Sequence, residues 1–181
     1  MIIALTGLKQ SGKSTAANYL VEKYNFTKHN FKDAMIKEIK QYFPDFIKKE
    51  CELYNCDVDY LFEKKPGHIR ELMKNFGTQL RRGENPNYWV WKWAEVLDEL
   101  ANTNLVVDDC RFLNEAEQIK YVEEGIIIKI IRTGQVSTDT HQSETEMSYI
   151  EPDYTIEVAT GEQNKLYEEL DKILHENKTL S

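Results

Sequence analysis

The chain alternates short continuous apolar runs with longer segments whose apolar residues recur every three or four positions. Ile2-Ile3-Ala4-Leu5-Thr6 is a run of strand type, and residues 14–24 follow with Ala16, Ala17, Leu20 and Val21 at helical spacing. A short strand is predicted over 26–30 and a helix over 31–42, where Phe31, Met35, Ile39 and Tyr42 fall at helical intervals. Pro44 ends that helix, because a proline ring clashes with the preceding turn. Residues 45–65 are charged and compatible with short helices, closing at Pro66-Gly67. The helical period returns over 68–81 through Ile69, Leu72, Met73, Phe76 and Leu80. Asn85-Pro86 reads as an N-cap followed by a first-turn proline, opening a helix with the stripe Trp89, Trp93, Val96, Leu97 and Leu100.

Beyond that helix, Leu105-Val106-Val107 predicts a buried strand that ends in Asp108-Asp109, and residues 114–124 predict a helix. Residues 126–131 are the most strand-like run of the chain. A polar stretch over 132–147 separates them from a last strand over 154–158 and a terminal helix over 163–176. Strands alternating with helices, with no internal repeat, imply one α/β domain around a mostly parallel sheet. Its ligands belong at the carboxyl ends of the strands, so the loops there carry the functional reading.

A length of 181 residues suits a single domain with a sizeable core. Lys and Arg total 23 against 31 Asp and Glu, a net charge of -8, which argues against broad binding to nucleic acid or an anionic membrane. An anionic ligand must therefore meet a local positive site, and the arginines at 70, 81, 82, 111 and 132 are the residues best shaped for phosphate. The three cysteines at 51, 56 and 110, with no leader pattern ahead of the first strand, suit a reduced cytoplasmic setting. Their spacing does not match a zinc site. No apolar run reaches the roughly 18 residues of a membrane span.

The loop after the first strand carries the clearest chemistry. Gly7 to Thr15 reads GLKQSGKST and fits G-x-x-x-x-G-K-[ST], with Gly7, Gly12, Lys13 and Ser14 in the fixed places. Glycines let backbone N–H groups face an anion, Lys13 reaches the outer phosphates, and the Ser14 hydroxyl can ligate magnesium. Strand, loop and helix occur in the order that this chemistry needs, so Gly7, Lys9, Gln10, Ser11, Gly12, Lys13, Ser14 and Thr15 are predicted to bind ATP. At the end of the strand over 105–107, Asp108 is a candidate magnesium ligand, directly or through water. Arg111 stands two residues past Asp109 and can address a phosphate or sugar in the same cleft. The polar stretch that begins at Arg132 is long for a compact domain, and a lid over 132–149 is the functional reading, with Arg132 as its electrostatic tool.

These segments together carry a resemblance. Asp109-Cys110-Arg111-Phe112-Leu113-Asn114-Glu115 resembles the D-x-R-F-x-N-E segment of phage-type deoxynucleoside monophosphate kinases. Residues 70–78 resemble the family's R-x-L-M-x-x-x-G-T helix, Tyr88-Trp89-Val90 its Y-W-V, and residues 132–144 its R-x-G-Q-x-S-x-D-T-H-x-x-E lid. The resemblance implies a P-loop kinase-like, three-layer α/β/α fold of about five strands, with a helical region binding the monophosphate over about 31–102. It implies transfer of the γ-phosphate of ATP to a deoxynucleoside monophosphate, with Lys13, Arg111 and Arg132 catalytic. Arg70, Trp89, Asp109, Arg111 and Asp33 would contact the acceptor, although Trp89 equally suits a core position. The segment Phe31 to Lys37 departs from the family by lacking its proline, and residues 41–65 match nothing in it.

A phosphate monoester with a second pKa of about 6 attacks as an anion at neutral pH and needs no general base. An alcohol kinase resembling dephospho-coenzyme A kinase would need one, which Asp33, Asp108 or Asp109 can supply. A nucleotide-binding ATPase switch is the third reading. No guanine-reading N-K-x-D motif accompanies the loop, since Asn164-Lys165-Leu166-Tyr167 lacks the acid. Expected partners are ATP, Mg2+ and a small monophosphate, with a homodimer left open and the host cytoplasm as setting if the gene is viral.

Overall fold

The computed structural model of the chain describes residues 1–135 and 145–179. Among them, β1 (Ile2–Thr6), β2 (Thr27–Lys28), β3 (Leu105–Val107), β4 (Ile126–Arg132) and β5 (Tyr154–Val158) form a five-stranded sheet in the order β2-β3-β1-β4-β5. Every pairing is parallel. β1 is central and buried along most of its length, as expected for a strand covered by helices on both faces. The α/β/α architecture is the predicted one.

The helices are α1 (Lys13–Tyr24), α2 (Phe31–Tyr42), α3 (Pro44–Tyr54), α4 (Val58–Lys64), α5 (Gly67–Lys74), α6 (Tyr88–Ala94), α7 (Leu113–Glu117) and α8 (Gln163–Thr179). They belong to two compact units, Met1–Asn30 with Leu100–Ser181, and Phe31–Glu99. In the first unit, Ala16, Ala17 and Leu20 of α1 join Leu166, Leu170 and Ile173 of α8 in one apolar cluster with the sheet. Small residues on α1 let it lie close to the strands. The helix ends at Asn25, whose left-handed φ of 57° returns its N–H to the carbonyls of Leu20 and Val21. In the second unit, Ile39, Ile47, Leu61, Phe62, Ile69, Met73, Phe76 and Trp89 make a separate core. No helix among the described residues is long and apolar enough to cross a membrane.

Several predicted boundaries move. Residues 45–65 resolve into α3, with Pro44 in its first turn, and α4, capped by the Asp57 carboxylate accepting from the Tyr60 N–H at 2.7 Å. The helix predicted over 68–81 is α-helical only to Lys74 and continues as a π-helix over Asn75–Arg82. The wider i→i+5 turn shifts its buried face, so Leu80, predicted inward, is 47% exposed. Asn85 does not cap a helix at Pro86; its side chain accepts from the Asn87 N–H, and α6 starts at Tyr88. That helix stops at Ala94 instead of running on to Leu100. The helix predicted over 114–124 likewise becomes π-helical, over Gln118–Val122. The polar stretch yields a turn at 133–134 and a 3-10 turn at Met147–Tyr149, while residues 136–144 of the expected lid lie outside the described residues.

Candidate functional site

Parallel strands put the ends of β1, β3 and β4 on one edge of the sheet, and the phosphate loop leaves the middle one. Its backbone is bent by three residues with positive φ: Gly7 at 138°, Gln10 at 65° and Gly12 at 115°. Gly7 has a second reason to be glycine, since a Cβ there would stand 2.2 Å from the Ile130 carbonyl oxygen of β4. Gly12 has room for a side chain but not the backbone for one. The Ser11 N–H donates to the Leu8 carbonyl at 3.1 Å, closing a tight turn, and the first helical bond runs from the Ala16 N–H to the Gly12 carbonyl at 2.9 Å.

The first amides of α1 have no carbonyl one turn earlier, and no acidic side chain lies in its first turn. That end is therefore positive in both dipole and donor count, which suits a phosphate. Lys13 is buried at 7% exposure, with its ammonium donating to the carbonyls of Gly7 at 2.6 Å and Leu8 at 2.7 Å. The Ser14 side chain is exposed at the helix start and Thr15 is half-buried. Ser11 Oγ is buried with no hydrogen-bond partner among the described residues, and Thr6 Oγ1, at the end of β1, is the same.

β3 delivers the acids. Asp108 is 8% exposed; its N–H donates to Asn30 Oδ1 at 2.8 Å and its carboxylate lies 3.5 Å from the Lys28 ammonium. Lys28 also donates to Asn18 at 2.8 Å, tying the end of β2 to α1. Asp109 and Arg111 are half-buried. The backbone at Arg111 is fixed by the buried Glu115 carboxylate, which accepts from the N–H groups of Arg111 at 2.8 Å and Phe112 at 3.1 Å. Between them Cys110 is fully buried, and burial, with the Glu115 and Asp109 charges, pushes its thiol well above the ordinary range. It is a packing residue rather than a nucleophile. Arg132 ends β4 with its Nε buried and no acceptor for it among the described residues. Three residues on, the Gln135 side-chain N–H donates to the Lys9 carbonyl of the phosphate loop.

The unit Phe31–Glu99 holds the other sequence candidates. Asp33 is exposed on α2 and lines a groove of about 440 Å³ together with Lys32, Lys37, Lys40, Asp59, Phe62 and Glu63. Arg70 is exposed on α5. Trp89 is 3% exposed and its indole N–H donates to the Gly77 carbonyl at 2.9 Å, which supports the core reading over base stacking. A cluster that the sequence did not reveal surrounds Arg81. Its Nη2 lies 3.1 Å from Glu38, its guanidinium faces the rings of Tyr42, Phe76 and Tyr88, and the Tyr88 hydroxyl donates to Glu38. Burial, then that bond, pushes the Tyr88 phenol up to about 12.

Thus Lys13 and Ser14 at the start of α1, Asp108, Asp109 and Arg111 after β3, and Arg132 at the end of β4 all lie at one edge of the sheet. Sequence reasoning missed Lys28, Asn30, Glu115 and Gln135. Glu115 carried a signal, an acid three residues after the residue preceding its helix. Lys28 ends, and Asn30 follows, a two-residue edge strand that has no periodicity to read.

A protein of Acanthamoeba polyphaga mimivirus, "Putative deoxynucleotide monophosphate kinase", is 32% identical over 169 residues, covering 83% of each chain. The fold is similar to that of TT1252 from Thermus thermophilus, with a TM-score of 0.50 at 18% identity over 97% of each chain. Dephospho-CoA kinase from Campylobacter jejuni gives a TM-score of 0.49 at 15% identity over 97% of this chain and 96% of that one. The model of the family described as deoxynucleotide monophosphate kinase matches residues 47–170, and the chain belongs to that family.

Proposed function

We propose that the protein transfers the γ-phosphate of ATP to a deoxynucleoside monophosphate, giving the diphosphate and ADP. The observation that carries this is a phosphate loop, with its lysine and uncapped helix start, on the same sheet edge as Asp108 and Arg111 in a chain of this family. Family membership favours a monophosphate acceptor over the alcohol and over no acceptor at all.

Phosphoryl transfer rests on positioning and charge neutralisation, because the transition state spreads charge over the moving group's oxygens. The loop amides and the first turn of α1 hold the β- and γ-phosphates of the donor. Lys13, Arg111 and Arg132 neutralise charge that develops during transfer. Asp109, Arg111, Asp33 and Arg70 are the residues assigned to the acceptor, and Trp89 packs in the core of its own unit. The acceptor phosphate attacks as an anion, so Asp33 is not required to remove a proton. The donor set fits magnesium: the Ser14 hydroxyl and the Asp108 carboxylate are hard oxygens, and magnesium at a phosphate site takes few protein ligands. Ser14 and Asp108 would hold the ion, which would supply positive charge beside the phosphates. Lys28, 3.5 Å from Asp108, helps to hold that carboxylate in place. The three cysteines form no disulfide, which suits a reducing compartment such as a host cytoplasm.

The test is ADP formation from magnesium ATP against deoxy and ribo monophosphates, dephospho-coenzyme A and no acceptor. Stimulation by deoxynucleoside monophosphates, reduced by a factor on the order of 10²–10³ in Lys13→Ala and strongly in Arg111→Ala, is expected. Turnover with dephospho-coenzyme A alone, or without any acceptor, would overturn the assignment.

A further inference from the structure

The turn Leu8-Lys9-Gln10-Ser11 is closed by the Ser11 N–H on the Leu8 carbonyl, and its third residue, Gln10, has φ 65° while its second, Lys9, is not among the residues of positive φ. A closed turn with positive φ at the third position alone is of type II, a place that usually takes glycine or asparagine. Gln10 is neither. A left-handed conformation of a long side chain persists where the surroundings hold it, and the bond found at this peptide is the Gln135 side-chain N–H on the Lys9 carbonyl. In a trans peptide the carbonyl of one residue and the N–H of the next point opposite ways. Fixing the Lys9 carbonyl on Gln135 therefore fixes the direction of the Gln10 N–H.

We propose that Gln135 is a positioning residue for the donor: by holding the Lys9–Gln10 peptide in its type II orientation, it turns the Gln10 N–H into the ring of donors that grips the ATP phosphates. Flipping that peptide to the type I orientation would put a carbonyl oxygen where the N–H belongs, exchanging an attraction for a repulsion. Gln135 is placed for this by the end of β4: the Thr133 N–H donates to the Val158 carbonyl at 3.0 Å, Gly134 takes φ 77°, and the Gln135 N–H donates to the Arg132 carbonyl at 3.1 Å. Sequence thus couples the root of the Arg132 segment to the phosphate loop through one side chain. The inference rests on the phosphate loop binding ATP, as proposed above, but not on the identity of the acceptor.

The test uses Gln135→Met, which keeps length and neutrality without an N–H donor, and Gln135→Ala. ATP affinity is measured by calorimetry without acceptor, alongside KM for ATP, KM for the monophosphate and Tm. Both variants are expected to weaken ATP binding and raise KM for ATP roughly three- to tenfold, with the monophosphate KM and the Tm unchanged. A second arm repeats Gln135→Met in a Gln10→Gly background. Glycine adopts positive φ without strain, so the loss there should shrink to less than half. Unchanged ATP affinity in both variants, or an equal loss in the Gln10→Gly background, overturns the proposal. Loss of ATP affinity together with lowered Tm and raised KM for both substrates would also overturn it, in favour of a general structural role. A wild-type chain that binds ATP and phosphorylates no monophosphate defeats the acceptor assignment while the calorimetry still decides Gln135.

Discussion

Left-handed backbone ends helices in both units, at Asn25 in one and at Asn55 and Lys65 in the other, but among the described residues one unit also uses it to shape a ligand loop. In Phe31–Glu99 the non-glycine residues of positive φ, Asn55 and Lys65, each terminate a helix. In the unit of Met1–Asn30 and Leu100–Ser181, Gly7, Gln10 and Gly12 bend one short loop so that amides, not side chains, face a ligand. The working groups of the helical unit are instead held by other side chains: Arg81 by Glu38 among three aromatic rings, and Trp89 by apolar neighbours and one carbonyl. Backbone recognition demands particular residues at particular positions and leaves the intervening side chains free to vary. Side-chain recognition leaves no fixed spacing in the sequence.

The comparison breaks most readily at Gly7. Alanine there meets the Ile130 carbonyl and takes a φ of 138°, so Gly7→Ala is expected to cost roughly 2–5 kcal/mol in chemical denaturation. Lys9→Ala, on an exposed side chain of the same loop, should stay within about 0.5 kcal/mol. Equal effects would mean that the loop is not a backbone device. A smaller effect is expected in the helical unit. Trp89→Phe leaves the buried Gly77 carbonyl without its donor and should cost about 1–3 kcal/mol while the KM for the monophosphate holds. Arg70→Ala should do the reverse, raising that KM at constant Tm; matching profiles would merge the two roles.

The smallest effect sharpens the contrast from the surface of the first unit. Asp171 accepts from Lys23, Tyr19 and Tyr24, each at 2.7 Å. Burial alone would raise its pKa, but these bonds hold it below the usual carboxylate value. A carboxylate depressed in the folded state stabilises above its unfolded pKa and loses that contribution as pH falls through the folded value. Asp171→Asn should therefore lower Tm by about two degrees near neutrality, and the difference should fade below about pH 4. A gap that persists in acid would assign the effect to packing.

The same contrast explains what the sequence disclosed. α2 and β5 lie within their predicted limits, and the phosphate loop was readable because glycine and lysine at fixed spacing have one mechanical meaning. The π-helical segments at Asn75–Arg82 and Gln118–Val122 were not readable, since periodicity assumes 3.6 residues per turn and these segments turn more widely. Arg81 was only one arginine among five until that wider turn carried it to Glu38 and Tyr88. Asp57 was a legible cap in principle, hidden in a stretch where charged residues are dense. Gln135 was visible as a letter of the lid pattern, but its role depends on a bond across 126 positions of sequence.

The central claim is that phosphate leaves ATP for a deoxynucleoside monophosphate and not for water. It is tested most directly with ATP labelled at the γ-phosphorus, incubated with the full chain, magnesium and a deoxynucleoside monophosphate, and followed by separation of the products. The account predicts the label in the deoxynucleoside diphosphate, with little in inorganic phosphate and transfer by Lys13→Ala lower by a factor on the order of 10²–10³. Label released only as inorganic phosphate, at the same rate with and without the monophosphate, would contradict it.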